Sequence, residues 1–330
     1  MFNIAVFSTK PYDRQFLTQY SADNLNFTFL DSRLDETTVQ LAKDHDAICI
    51  FVNDEVNRAV IDQLFSFNIN TIALRCAGFN NVDADYAKQK GITICRVPEY
   101  SPEAVAEHTI GLMLTLSRKF HKAYNRVRED NFSLDGLLGF NLHNKTVGII
   151  GTGHIGMATL RILKGFGCKL ICNDPIKNTE VESLGGGYVD FETLLRQSDI
   201  VSLHCPLTPD SYHMINHDSI LMMKKGAMLI NTSRGGLIDS QAVLQALKTQ
   251  HLGYLGIDVY ELESDLFFEN LSNEIIQDDV FARLLTFPNV VITGHQGFFT
   301  EEALTVIAKT TVHSLEQLLS NKVINQNLLL

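Results

Sequence analysis

A chain of 330 residues is longer than one hydrophobic core usually serves, so two domains are expected. With 45% hydrophobic and 20% charged residues it can bury an ordinary core without a metal or disulfide staple. A net charge of −11 argues against nucleic acid or an anionic membrane surface as partner, because both call for a basic face.

The N-terminus, Met1-Phe2-Asn3-Ile4, runs at once into a strand-like stretch with Lys10 after it. No signal-peptide layout and no apolar stretch of membrane-spanning length is visible, so a cytoplasmic location is expected. Strand-like runs at 4–8, 27–30, 47–52, 71–75 and 92–97 alternate with helical patterns near 11–20, 36–43, 56–66 and 83–90. This predicts a five-stranded βα array complete by about residue 98. Ser101-Pro102-Glu103 then reads as a helix start, with Ser as N-cap, Pro at the first helical position and an acid in the first turn. The helical pattern continues to about residue 128. A helix of that length suits a link between domains and packing against a second subunit. Its basic end, with Arg118, Lys119, Lys122, Arg126 and Arg128, is short and reads as a solvated or subunit-facing surface.

A second array follows, with strands expected at 146–150, 169–173, 200–204, 228–231, 254–259 and 290–293. A last helix near 301–319 is placed to return to the first domain. The six cysteines (49, 76, 95, 168, 172 and 205) show no C-x-x-C spacing and no zinc-like cluster with His, so reduced thiols and no metal are expected.

The run Thr146-Val147-Gly148-Ile149-Ile150 leads into Gly151-Thr152-Gly153-His154-Ile155-Gly156 and then a helical stretch. In a strand–turn–helix setting each glycine has a task. Gly151 permits the tight turn, Gly153 lets the backbone approach a pyrophosphate, and Gly156 lets the helix pack close to its strand. The helix N-terminus offers the anion a partial positive charge. His154, inside the turn, reads as a cofactor neighbour. Asp174 ends the next strand; a carboxylate there accepts the ribose hydroxyls of NAD and repels the 2′-phosphate of NADP. NAD is therefore the expected cofactor.

Reduction of a 2-keto acid also needs a cation for the carboxylate, a proton donor for the forming alkoxide, and a neighbour that keeps that donor charged. Arg, His and a carboxylate suit these tasks. Loops after the later strands offer Asn231-Thr232-Ser233-Arg234-Gly235-Gly236, Asp258-Val259-Tyr260-Glu261-Leu262-Glu263 and Gly294-His295-Gln296-Gly297. Spacing alone does not select among them. By itself Glu263, in an acidic run with Glu261, Asp265 and Glu269, reads as part of a solvated face, and His295 reads as a loop histidine.

Four motifs select. They are residues 147–156; Ser198-Asp199-Ile200-Val201-Ser202-Leu203-His204-Cys205-Pro206; residues 223–239 with Asn231-Thr232-Ser233-Arg234-Gly235; and the Glu263 and His295 segments. With them the chain resembles the D-isomer-specific 2-hydroxyacid dehydrogenases along nearly its whole length. Leu74-Arg75-Cys76-Ala77-Gly78-Phe79-Asn80-Asn81-Val82-Asp83, Asp265-Leu266-Phe267-Phe268-Glu269 and Ile276-Gln277-Asp278-Asp279-Val280-Phe281 are most similar to the bacterial fermentative branch that acts on D-lactate.

The resemblance implies an α/β fold of two Rossmann-like or flavodoxin-like domains with parallel sheets. A discontinuous substrate domain (1–100 and 299–330) would flank an NAD domain (101–298), with the active site in the cleft between them. It implies that Arg234 binds the substrate carboxylate, His295 protonates the keto oxygen, and Glu263 pairs with His295. The main chain of Ala77 and Gly78 would cradle the carboxylate, Tyr100 would close on the substrate, and Phe51 and Phe298 would line a small pocket. Gly151, Gly153, His154, Ile155, Gly156, Asp174, Cys205, Pro206, Thr232, Ser233 and Arg234 would contact NAD, with Asp258 near its nicotinamide end. Some relatives carry Asn where Ser211 stands, and the shorter Ser211 is left out of the site. The reaction implied is reversible hydride transfer between NADH and pyruvate, giving (R)-lactate, in a homodimer or homotetramer. A dehydrogenase for a bulkier 2-keto acid and an NAD-sensing, corepressor-like protein are the alternatives.

Overall fold

The computed structural model describes residues 1–320, 322 and 324–330, so residues 321 and 323 of the expected C-terminal segment lie outside the description. It divides into two units, Met1–Ser101 with Phe298–Leu330, and Pro102–Gly297. Ser101 and Phe298 both fall in the first of these units. The linking helix begins only at Pro102, and Phe298 is 7% exposed with its ring 5.9 Å from Phe51, inside the first unit.

The first unit holds strands β1 (Phe2–Val6), β2 (Leu25–Phe29), β3 (Ala47–Ile50), β4 (Thr71–Leu74) and β5 (Thr93–Arg96). All pair in parallel, in the order β2-β1-β3-β4-β5. The short central strands AICI and TIAL are buried throughout, as strands covered on both faces must be. The terminal helix Glu301–Leu319 does return: Ala308, Val312 and Leu315 pack with Ile4, Val6, Cys49 and Ala73. Of the helix expected at 36–43 only a single 3-10 turn, Val39–Ala42, forms. There the Asp35 carboxylate accepts the Thr37 and Thr38 amides (2.7 and 3.0 Å) as a cap does, and the segment ends at Asp44, which is left-handed (φ 67°).

The second unit holds β6 (Thr146–Ile150), β7 (Lys169–Asn173), β8 (Gly187–Tyr188), β9 (Ile200–Leu203), β10 (Ala227–Asn231), β11 (Leu252–Ile257) and β12 (Val290–Ile292). They form one parallel sheet in the order β12-β11-β10-β9-β6-β7-β8. Two-residue β8 is too short to leave a periodic signal. The single helix expected from 101 to 128 is two, Pro102–Arg118 and Phe120–Arg128, because Lys119 is left-handed (φ 55°). The Ser117 carbonyl there accepts the Phe140 amide at 3.2 Å, and Phe120–Arg128 buries no residue that would reward a straight continuation. Among the described residues no helix is long and apolar enough to cross a membrane.

Candidate active site

β6 and β9 are neighbours at the point where the strand order reverses, the place where open α/β sheets leave a crevice at their carboxyl ends. Gly151 turns the chain there with φ 96°. A Cβ on it would stand 2.6 Å from Cys205 N and from the His204 carbonyl. A Cβ on Gly156 would stand 2.0 Å from the Gly151 oxygen, so the helix His154–Gly165 sits hard against the turn. Gly153 meets nothing within 4 Å, and as N-cap it offers no side chain to the helix end.

A cavity of about 860 Å³ opens at this turn; Gly151, Gly153, Asp174, Cys205 and Pro206 are among its lining residues. Asp174 Oδ2 accepts the Thr152 amide (2.5 Å) and hydroxyl (3.1 Å), and Oδ1 accepts the Ile176 amide (2.8 Å). The carboxylate is thus fixed at the cavity edge. An open glycine face, a helix N-terminus without a side-chain cap and an anchored carboxylate together fit a dinucleotide. His204 and Cys205, in the adjoining wall, are neutral. Burial lowers the His204 imidazole to about 4 and pushes the Cys205 thiol up to about 11.

Other expected cofactor residues are engaged with the protein. Thr232 is 8% exposed and its hydroxyl lies 2.8 Å from that of Thr109. Ser233 Oγ donates to the Cys205 carbonyl at 2.6 Å, tying its loop to the cavity wall. His154 and Ile155 form the first turn of the helix. Ser211, set aside in the sequence, lines the cavity, where its Oγ donates to the Pro206 carbonyl at 2.8 Å. Thr152 and Met214 line it too and carried no motif signal.

Asn231, fully buried at the end of β10, shapes the arginine loop. Its Oδ1 accepts the Ser233 amide (3.0 Å) and its Nδ2 donates to the Arg234 carbonyl (2.8 Å). Arg234 donates one guanidinium N–H to the Ser233 carbonyl at 2.7 Å and has no carboxylate partner among the described residues. Gly235 admits no side chain, since a Cβ would stand 2.1 Å from the Tyr260 carbonyl. The arginine loop therefore lies directly on the loop that follows β11.

In that second loop Glu263 Oε2 accepts the Tyr260 amide at 2.8 Å, and Oε1 lies 2.8 Å from His295 Nδ1. A carboxylate only accepts, so the Nδ1 facing Glu263 carries a proton. Glu263 is thus no part of a solvated acidic face, and neither is Glu261, which pairs with His213. His295 is left-handed (φ 51°), and its amide donates to the Asp258 carbonyl at 2.7 Å.

Asp258 is 2% exposed. Its carboxylate accepts the Gln296 and Gly297 amides (2.9 and 2.7 Å), the Thr293 hydroxyl, and His108 Nε2 at 3.2 Å. Burial would raise this carboxyl, but the hydrogen bond and charge of His108, with Thr293 and Gln296, hold it below the usual carboxylate range. These bonds hold Asp258 against the loop that carries His295. His108, more than a hundred residues away in sequence, carried no signal of its role.

In the first unit, Phe298 lies 5.9 Å from Phe51 and 6.3 Å from Tyr100, ring to ring. The carbonyls of Ala77 and Gly78 are engaged, by Arg96 Nη1 (2.7 Å) and Cys76 Sγ (3.2 Å). Their amides have no acceptor among the described residues, which leaves two adjacent donors for an anion.

Residues 110–297 match the NAD-binding domain of the D-isomer specific 2-hydroxyacid dehydrogenases. The chain belongs to this family. The cofactor that this domain takes is NAD. Among relatives of this dehydrogenase, the D-lactate dehydrogenase of Escherichia coli is 54% identical over 316 residues, 96% of each chain. The solved D-lactate dehydrogenase of Salmonella shares 54% identity at a TM-score of 0.85, covering 98% of this chain and 99% of that one. The D-lactate dehydrogenase of Aquifex aeolicus, solved with NAD and lactic acid, shares 32% identity at a TM-score of 0.87, covering 97% and 96%.

Proposed function

We propose that this 2-hydroxyacid dehydrogenase interconverts pyruvate and (R)-lactate with NADH and NAD in fermentative metabolism of the cytoplasm. The observation that carries the reading is the 2.8 Å contact of Glu263 with His295 Nδ1, which fixes the orientation of the ring. Bound in the cavity, NADH supplies the hydride. His295 Nε2 gives the proton to the keto oxygen and takes it back in the reverse direction. Arg234, without a carboxylate partner among the described residues, grips the substrate carboxylate with its planar fork. The Ala77 and Gly78 amides hold the same carboxylate, Tyr100 covers it, and Phe51 and Phe298 keep the methyl pocket small. Asp174 selects NAD over NADP.

The substrate domain is Met1–Ser101 with Phe298–Leu330. The subunits form a homodimer, or a homotetramer built from it, through the arm around Phe120–Arg128. Phe120, Tyr124, Val127, Phe132, Leu134 and Leu138 there are all more than half exposed in one chain. Nucleic acid and membrane are not partners.

NADH oxidation assayed with pyruvate and a panel of bulkier 2-keto acids, with the chirality of the product checked, tests the reading. Pyruvate giving (R)-lactate with the highest kcat/KM is expected. A strong preference for phenylpyruvate overturns the substrate, and absence of turnover with NAD binding intact overturns the enzyme reading.

A further inference from the structure

Three loops of the NAD-binding domain bear on the chemistry: the cavity wall ending near Met214, the arginine loop, and the turn Tyr260–Glu263. One side-chain pair touches all three. His213 Nε2 makes a short hydrogen bond to Glu261 Oε1, and Glu261 Oε2 accepts the Ser240 hydroxyl at 3.0 Å. The His213 amide donates to the Gly236 carbonyl at 2.9 Å, and two residues on, the Ile215 amide donates to the Leu237 carbonyl at 3.0 Å. His213 thereby zips its segment to the arginine loop, while its neighbour Met214 lines the NAD cavity.

Several features set this pair apart from a surface ion pair. The two side chains are 28% and 22% exposed. His213 is left-handed (φ 50°), a conformation that a non-glycine residue keeps only where its surroundings hold it. Its ring is stacked on Tyr212, with centroids 3.9 Å apart and planes at 16°. Glu261 stands two positions before Glu263, in the turn whose Tyr260 amide holds the second Glu263 oxygen. A shift of Glu261 therefore moves the group that aims His295. The absent Cβ of Gly235 lets the arginine loop rest on the same turn.

We propose that His213 and Glu261 are positioning residues for the reaction, a second histidine–carboxylate pair that clamps the NAD cavity wall, the Arg234 loop and the Glu263 turn in one register. The clamp rests on the assignment of Arg234, Glu263 and His295 as the reacting set, and neither of its members touches the substrate.

Glu261→Gln, His213→Gln and the double variant test it, assayed with the 2-keto acid the wild type uses best. Each single change should lower kcat/KM roughly 10- to 100-fold, mainly through kcat, as expected for a small misplacement of reacting groups. NADH affinity and melting temperature should change little. The double variant should be no worse than either single one, because the two residues act as a unit. Glu261→Asp, which keeps the charge and shortens the reach, should lose less than Glu261→Gln. Oxamate, an unreactive isostere of pyruvate, should bind the NADH complex of the variants more weakly, which reads the Arg234 loop without turnover. Losses that multiply in the double variant would overturn the clamp. So would a drop in melting temperature with kcat/KM and oxamate affinity unchanged. A wild type that prefers another keto acid would overturn pyruvate as substrate and leave the clamp standing.

Discussion

The two units carry the same kind of sheet and treat its reactive end in opposite ways. In each, strand order reverses once, between β1 and β3 in the first and between β6 and β9 in the second, and a crevice is expected at that point. In the second unit the crevice stays open because Gly151 and Gly153 keep side chains out of it. In the first it is plugged by Arg75, 1% exposed, which follows β4. The guanidinium crosses to the end of β1, donating to Asp13 (2.9 Å) and to the Phe7 and Ser8 carbonyls (2.9 Å each), and lies 5.0 Å from the centre of the Phe51 ring. Burial would disfavour its charge, but Asp13, with Cys49 and Asp54 behind it, keeps it charged. His204 at the open crevice has no such partner, and burial leaves it neutral. One sheet end is thus filled with paired charge to build a rigid wall, and the other keeps an open cavity with the Asp174 carboxylate anchored at its edge.

The comparison breaks most visibly if chemistry does not belong to the open sheet. His295→Gln should lower kcat by roughly 10²- to 10⁴-fold with NADH binding and melting temperature retained. Equal loss of NADH binding would make the histidine a structural element of its loop.

The plugged end should answer to stability instead. Arg75→Met leaves Asp13 buried without its cation and should destabilise the first unit by about 3–5 kcal/mol. Denaturant titration reads this directly. NADH affinity measured on the folded protein should stay at the wild-type value, and a selective loss of NADH binding would mean that the plug is not confined to its own unit.

A methyl group at the open end sharpens the contrast. Gly153→Ala meets no protein atom within 4 Å, so folding should survive. NADH affinity should fall roughly tenfold, or about 1.4 kcal/mol, because the methyl occupies the approach of the pyrophosphate. Calorimetric titration with NADH checks it, and unchanged affinity would move the pyrophosphate elsewhere.

The most gradual effect lies in the pH dependence of stability. The His204 pKa is depressed on folding, from 6.5 to about 4. Below pH 6.5 the unfolded chain therefore takes up a proton that the folded chain refuses. The stabilisation is complete above pH 6.5 and is lost as pH falls toward 4, by at most about 3 kcal/mol. Melting temperatures across that window should fall less in His204→Asn, and identical slopes would mean that water reaches the ring.

Much of this was readable from local pattern. The alternation of short apolar runs and amphipathic stretches determined two parallel α/β arrays, because side-chain periodicity is a property of neighbouring residues. The terminal helix and the glycine turn could be placed for the same reason. Asp174 marked NAD because it stands at a fixed distance after the turn. Arg234, Glu263 and His295 came only from the family resemblance, since nothing in their spacing separates a reacting group from a loop residue.

What the sequence could not determine lies in pairings across long stretches of chain. Asp13 meets Arg75 across 62 positions, His213 meets Glu261 across 48, and His108 reaches Thr293, beside Asp258, across 185. The kink at Lys119 and the inward turn of Asp258 depend on such partners as well. No window of sequence holds both members, so composition and periodicity are blind to them. Tertiary packing alone decides whether a charged residue faces water, a ligand or another charge, and that decision leaves one of two similar sheets closed and the other ready for NAD.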